Sequence, residues 1–233
     1  MRFRRPAPKN VRNGLRSISA SSGFDRGTPI DRKLISDFLK KEVSLLESRF
    51  TNSAECNVLE VGEIKYAKEF FPKANLSALL PPVELFQQER FFANTIFVDL
   101  DIQHAEFEFK YDVIIATHVL NFLQNPVAAV QNIQKLLEFG GCALVTVAST
   151  HPISNYDESR WGDYLRYMPQ GFLKLIGEVV DCEIQSFSVL GNTGLVIARH
   201  MGLSAEEMKQ ELFENHDYHD PLVLGAVLVR KPL

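Results

Sequence analysis

The sequence lacks the long apolar runs of membrane proteins and the cysteine density of small secreted proteins. A bilayer span takes about 20 consecutive apolar residues, and no stretch of the 233 residues reaches that length. The three cysteines are odd in number, far apart and without metal-ligand spacing. This usage favours a reducing interior, so we expect a cytoplasmic protein, and no metal site is predicted. No internal repeat is present.

The net charge of −4 is unevenly distributed along the chain. Residues 1–33 contain nine Lys or Arg and two Asp, so this segment is basic and the remainder is acidic. Because residues 1–23 show no apolar periodicity, they are predicted to form a flexible basic arm before a domain over residues 24–233. A solvated tail and a contact with an anionic surface both fit the arm. The acidic body lacks an aromatic and basic stripe, which argues against nucleic acid as a partner.

Apolar runs that fit strands alternate with stretches of helical periodicity. The predicted strands are 57–61, 76–80, 95–98, 111–116, 142–148, 182–189 and 223–229. The predicted helices are 29–49 with Thr28 as N-cap, 64–71, 126–139 with Gly140-Gly141 as C-cap, 169–180, 194–201 and one opened by a capping box at 204–207. This order predicts an α/β fold with an open, mostly parallel seven-stranded sheet covered by helices on both faces.

Polar and small residues follow the first and fourth predicted strands. Glu60 and Gly62 end the first strand, while Thr117 and His118 end the fourth. Because the carboxyl ends of parallel strands meet at one edge of a sheet, these residues are expected to border a ligand crevice. A carboxylate at the end of an apolar strand needs partners, so Glu60 is expected to bind a ligand or to organise the loop. His118 fits either a satisfied buried histidine or a group that faces the ligand.

The segments that carry a family resemblance are 59–62, 99–100, 111–115, 118–123 and 136–141, with 26–32, 161–167 and 217–221 beside them. Their order and spacing resemble the class I S-adenosylmethionine-dependent methyltransferases over residues 24–233. The last three segments resemble most a bacterial subgroup associated with glycosyltransferase and polysaccharide pathways. The resemblance implies a Rossmann-like methyltransferase fold and S-adenosylmethionine as the cofactor.

The resemblance also implies which residues hold the methyl donor. The matched positions are Glu60, Gly62, Glu63, Asp99, Leu100, Thr117 and His118. The glycine motif is degenerate, because Ile64 and Tyr66 stand where the family has further glycines. The second strand ends in Leu80, where the family has an acid that binds the ribose hydroxyls; Glu84 is the nearest acid that follows.

The implied reaction is methyl transfer to a hydroxyl or amine of a small molecule or glycan intermediate. His151 is the first candidate for a catalytic base and His118 the second. The residues considered for acceptor contact are Arg26, Arg32, Tyr156, Trp161, Tyr164 and Arg166. Surface ion pairing for the arginines and a packing patch for the aromatics remain open. The alternative function is a catalytically inactive methyltransferase-fold module that binds or scaffolds a protein partner.

Overall fold

The computed structural model describes residues 19, 23–47, 50, 53–81, 94–97, 99–103 and 106–232. The predicted arm, except Ser19 and Gly23, lies outside the described residues, and so does Glu84. Within the described part, no helix combines the length and the apolar character that a bilayer span requires.

Strands and helices alternate along most of the chain, as the sequence predicts. The strands are β1 (Asn57–Val61), β2 (Asn75–Leu80), β3 (Thr95–Phe97), β4 (Tyr111–Thr117), β5 (Leu137–Ala148), β6 (Cys182–Leu190) and β7 (Val223–Arg230). The α-helices are α1 (Ile30–Ser44), α2 (Tyr66–Phe70), α3 (Pro126–Leu136), α4 (Asn155–Glu158), α5 (Pro169–Ile176), α6 (Thr193–Met201) and α7 (Glu211–Glu214), with 3₁₀ turns at Leu120–Phe122 and Ala205–Glu207.

The strands form one open sheet in the order β3-β2-β1-β4-β5-β7-β6. Strands β1 to β5 pair in parallel, and β7 runs antiparallel to both β5 and β6. The predicted seven-stranded, mostly parallel sheet is therefore confirmed. The order of the strands reverses between β1 and β4, and ligands of open α/β sheets bind beyond the carboxyl ends of the strands at this switch point.

Apolar side chains cover both faces of the central strands. One buried cluster packs α1 against the sheet, and a second packs α3 and α5 against the opposite face. Gly225 of β7 allows α1 to approach closely, because a Cβ atom there would lie 2.7 Å from the ring of Phe38. The sequences of the inner strands are continuous apolar runs because both of their faces are covered.

Several predicted boundaries are wrong: β5 begins at Leu137 instead of at 142, and α5 ends at Ile176 instead of at 180. Helix α3 ends at Leu136, and Gly140-Gly141 lies inside β5 instead of capping the helix, because Leu137 already pairs with Tyr111 of β4. A Cβ atom on Gly141 would lie 2.9 Å from the carbonyl oxygen of Asp112, so the glycine permits close strand approach.

Helix α1 begins at Ile30 and ends at Ser44, not over 29–49 with Thr28 as N-cap. The residues before it are held by a neighbouring segment. The Thr28 carbonyl accepts a hydrogen bond of 2.7 Å from the Ala205 amide, and Pro29 forms an isolated β-bridge with Ser204.

Candidate functional site

The turn after β1 leaves open space at the switch point. Gly62 has a φ of +112°, a conformation that favours glycine, and its amide donates to the Leu79 carbonyl at 2.9 Å. No described atom lies within 4 Å of the position that a Cβ on Gly62 would occupy. The backbone of this turn can therefore approach a ligand closely.

Glu60 organises the loop that follows Gly62. One carboxylate oxygen accepts from the amides of Lys65 and Ala67, each at 2.8 Å, and the other accepts from the Tyr66 amide at 3.2 Å. These amides belong to the first turn of α2, where backbone donors lack helical partners. Burial raises the pKa of Glu60, and the three amides oppose that rise. Glu63 is exposed beside it. A contact between either acid and a cofactor stays a prediction.

Ile64 and Tyr66, which replace glycines of the resembled motif, pack inward. Both side chains are buried in the cluster beneath α1. Neither residue has a positive φ. The loop therefore follows a path that needs glycine only at position 62.

The segment after β3 supplies fewer free groups than the resemblance implies. Leu100 is buried in the apolar cluster beneath α3, and its carbonyl accepts from the Asn132 side chain at 2.7 Å. Asp99 is partly exposed, and slight burial together with the charge of Asp101 raises its pKa. Asp101 accepts from the amides of Gln124 and Asn125 at 2.9 and 3.2 Å. Asp99 remains available to a ligand, whereas Asp101 is engaged.

A buried charged cluster lies at the same edge and consists of Asp31, His118, His151 and Arg199, which we name the Asp31 cluster. The Arg199 Nε atom lies 2.8 Å from one carboxylate oxygen of Asp31. The other oxygen lies 3.5 Å from Nε2 of His151 and 4.0 Å from Nδ1 of His118. The two imidazole rings meet edge to face with centroids 5.8 Å apart. The cluster joins the starts of two loops to helices α1 and α6.

The charges within the Asp31 cluster shift the pKa values of its members. Burial opposes ionisation of Asp31, but His151 and Arg199, with a smaller contribution from His118, hold the pKa of Asp31 well below its ordinary value. Burial holds the pKa of His118 well below its ordinary value, although Asp31 opposes that shift. The folded protein therefore keeps Asp31 ionised and His118 neutral near pH 7.

Internal contacts fix the loop that follows β5. Asp163 pairs with the guanidinium of Arg166 and accepts from the Ser154 amide at 3.0 Å. Arg166 also donates to the carbonyls of His151 and Pro152, at 3.0 and 2.9 Å. Arg166, predicted as an acceptor contact, thus holds the backbone at His151 in place.

The other residues predicted to contact an acceptor are dispersed. Tyr156 and Tyr164 are each at least half exposed on the loop, and Trp161 donates to Asp157 at 3.1 Å. Arg26 forms an ion pair with Glu207.

Arg32 lies near Asp31 and the Tyr66 hydroxyl. Burial opposes the charge of this guanidinium, yet these two neighbours raise its pKa. Of the six predicted acceptor contacts, Arg32 thus interacts electrostatically with Asp31, and Arg166 hydrogen-bonds to the backbone of His151.

Sequence reasoning missed Arg199 and Asn121. Arg199 occupies the buried face of α6 with Leu195 and Ala198, so a charged residue at an apolar helical position was the available signal. The Asn121 side chain bridges the Ala148 amide at 3.1 Å and the Leu165 carbonyl at 2.8 Å, and no local pattern indicated this long-range contact. No group of three His, Cys, Asp or Glu side chains with metal-binding placement occurs in the described ranges.

Comparisons with known proteins agree with this architecture. No protein-family model matches the chain. The malonyl-[acyl-carrier protein] O-methyltransferase of Bacillus cereus is 25% identical over 133 residues, which are 54% of this chain and 48% of that protein. The match thus spans about half the length of this curated relative.

Solved structures match over more of the chain. The N-methyltransferase NodS of Bradyrhizobium japonicum, solved with S-adenosyl-L-homocysteine, is 13% identical with a TM-score of 0.50, covering 95% of this chain and 96% of that one. An S-adenosylmethionine-dependent methyltransferase of Clostridium acetobutylicum is 11% identical with a TM-score of 0.53, covering 85% and 92%. Together with the strand order, these similarities establish that the chain has the fold of the class I S-adenosylmethionine-dependent methyltransferases.

Proposed function

We propose that the chain binds S-adenosylmethionine between β1 and β4 and transfers its methyl group to a hydroxyl or amine of a small molecule or glycan intermediate. The observation that carries this proposal is the open turn at Gly62, which lies at the switch point of the sheet. A nucleoside ligand needs close backbone approach at such a turn, and a Cβ at this position would narrow the space.

The residues at the crevice fit the parts of the donor. Glu60 orders the turn, and the backbone from Gly62 to Glu63 lines it. Asp99 offers a partly exposed carboxylate beyond β3, a position suited to the adenosine. Thr117 ends β4, and His118 follows it at the same edge of the sheet. When bound, the donor would supply an electrophilic methyl group, while the turn at Gly62, Asp99 and Thr117 would position it for in-line attack.

The acceptor is assigned only by class. The relatives are named for O-methylation of a malonyl group on an acyl carrier protein and for N-methylation, so both oxygen and nitrogen acceptors occur on this fold. Tyr156 and Tyr164 present exposed aromatic rings on a loop held by the Asp163–Arg166 ion pair. Rigid exposed rings suit the apolar face of a sugar or another small ring. We place the acceptor against this loop.

The inactive-module alternative is not favoured. It follows from Ile64 and Tyr66 and from the absence of an acid at the end of the second strand, where Leu80 stands; the side chains of Ile64 and Tyr66 pack beneath α1. Their burial removes the reason to expect a crevice plugged by these two residues.

The proposal is tested by turnover. Purified full-length protein is incubated with S-adenosylmethionine and separate pools of hydroxyl-bearing and amine-bearing sugars, and release of S-adenosylhomocysteine is measured. We expect release that depends on one acceptor class and falls in the double variant Tyr156→Ala/Tyr164→Ala. Donor binding without turnover of any acceptor would support the inactive module instead.

A further inference from the structure

The Asp31 cluster places two imidazoles against one carboxylate at the edge where the donor is proposed to bind. Its members come from four separate segments: α1, α6 and the residues that follow β4 and β5. A buried charge cluster of this kind is weak as a source of stability, because desolvation of the ions offsets much of their attraction. The arrangement of the two rings shows which of them has a nitrogen left for chemistry.

The two nitrogens of His151 lie against protein oxygens. Its Nδ1 atom lies 2.9 Å from the carbonyl oxygen of Pro152, and its Nε2 atom lies 3.5 Å from the Asp31 carboxylate without forming a hydrogen bond within the described residues. The Asp31 carboxylate therefore occupies the position beside Nε2 that an acceptor hydroxyl would need. The backbone that carries His151 is also held by the hydrogen bond from Arg166 to its carbonyl. These contacts hold the imidazole of His151 beside the carboxylate of Asp31.

His118 differs in both backbone and side chain. Its φ is +54°, the one positive value at a non-glycine position among the described residues, and its amide donates to the Thr146 carbonyl at 2.8 Å. Strained conformations of this kind cluster at functional sites. The side chain is 8% exposed, and its Nε2 atom has no hydrogen-bond partner in the described part of the chain. A buried polar atom left unpaired costs about 1–3 kcal/mol, and a ligand hydroxyl bound at Nε2 would remove that cost.

The charges around His118 determine which of its nitrogens carries the proton. Burial lowers the pKa of His118, the charges of His151, Arg32 and Arg199 lower it further, and Asp31 alone opposes them. The ring is therefore neutral near pH 7 and carries a single proton. Nδ1 lies 4.0 Å from the Asp31 carboxylate, whose negative charge favours the proton on Nδ1 and the lone pair on Nε2.

We propose that Nε2 of His118 is the general base that accepts the proton of an acceptor hydroxyl, with Asp31 as the positioning residue and Arg199 holding Asp31. The inference rests on the proposed methyl transfer and narrows its acceptor to a hydroxyl. The hydroxyl oxygen attacks the methyl carbon, the carbon–sulfur bond breaks, and its electron pair neutralises the sulfonium. The hydroxyl proton passes to Nε2. A neutral hydroxyl needs such a base, whereas a neutral amine can attack first and lose its proton afterwards.

The first test compares His118→Asn with His151→Asn. Asparagine tolerates the positive φ at position 118 but is not a base, so folding and donor binding are separated from proton transfer. We expect His118→Asn to lower kcat about 100-fold to 10,000-fold, the usual contribution of general-base catalysis. Its Kd for S-adenosylhomocysteine should stay within about threefold of wild type, well inside one decade of affinity. His151→Asn should lower kcat much less.

Two results would overturn the assignment of the base. One is a kcat of His118→Asn within threefold of wild type. The other is a parallel loss of S-adenosylhomocysteine binding, which would make His118 a donor-binding residue. Failure of the wild-type protein itself to bind S-adenosylhomocysteine would refute the proposed function, a different result from either of these.

The second test concerns Asp31 and uses the pH profile of kcat. Because Asp31 raises the pKa of His118 against burial, Asp31→Asn should move the acidic limb to lower pH and reduce the plateau. Asp31→Glu keeps the charge, so its acidic limb should lie at the pH of the wild-type limb, and its kcat should be higher than that of Asp31→Asn. An acidic limb that is identical in wild type and Asp31→Asn would refute the positioning role, and so would a rate in Asp31→Glu no higher than in Asp31→Asn.

Discussion

Replacement of Gly62 by alanine separates backbone strain from loss of ligand space. Gly62 has a φ of +112°, and an L-residue with a positive φ is strained because its Cβ atom comes too close to the backbone, at a cost of about 1–2 kcal/mol. No described atom would clash with the new methyl group, so strain alone determines the stability of the unliganded protein. For a chain of this size, that cost lowers Tm by roughly 2–8 °C.

The same substitution is expected to weaken donor binding more than it weakens folding. The new methyl group would occupy the space proposed for the ligand, so we expect Kd for S-adenosylhomocysteine to rise at least about tenfold, or 1.4 kcal/mol. The matched control is Gly171→Ala, which lies in α5 with open space around it and no positive φ. Alanine in a helix is favoured over glycine by about 0.5–1 kcal/mol, so Tm should hold or rise.

Thermal unfolding with and without S-adenosylhomocysteine measures both effects for the two glycine variants. If Gly62→Ala has wild-type Tm and wild-type affinity, the open turn is neither strained nor part of the donor site.

Other expected outcomes concern loop order and pH. Glu60→Gln should lower the free energy of unfolding in urea by about 1–3 kcal/mol, because the NH2 group of glutamine cannot accept the hydrogen bonds of the backbone N–H groups at the start of α2. The control variant Glu63→Gln, at an exposed position, should leave that free energy unchanged. Equal unfolding midpoints of the two variants would contradict the role of Glu60. The free energy of unfolding should fall as the pH drops below about 6.5, because His118 is neutral in the folded protein and takes up a proton when the chain unfolds. For one proton, the free energy of unfolding changes by up to about 1.4 kcal/mol per pH unit. His118→Asn should flatten that slope, and an unchanged slope would contradict it. Asp163→Asn should lower Tm and loosen the loop after β5, which limited proteolysis would detect as faster cleavage near Arg166 than in wild type.

Much of the fold was predictable because parallel strands that are buried on both faces have uninterrupted apolar sequences. Each strand and each helix of eight or more residues overlaps its predicted range, although several ends differ by three to five residues. The error at Gly140-Gly141 has a clear cause. A glycine pair after a helical pattern indicates a C-cap, but here the glycines permit close approach between β5 and β4, a tertiary reason that local sequence does not encode.

The edge of the sheet was predictable, but the partners at that edge were not. Strand ends indicated Glu60 and His118, and the capping box at Ser204 forms as the sequence predicts. That Glu60 would accept three amides of α2 depends on the path of a loop without further glycines. The ion pair of Asp31 with Arg199 joins positions 168 residues apart, so only the packing of α1 against α6 reveals it.

The central claim is that the turn at Gly62 binds S-adenosylmethionine. Isothermal titration of the 233-residue protein with S-adenosylmethionine, repeated with Gly62→Ala and Gly171→Ala, tests it directly. We predict saturable binding to wild type and to Gly171→Ala, with at least about tenfold weaker binding to Gly62→Ala. Absence of saturable heat with the wild-type protein up to millimolar donor would contradict the account.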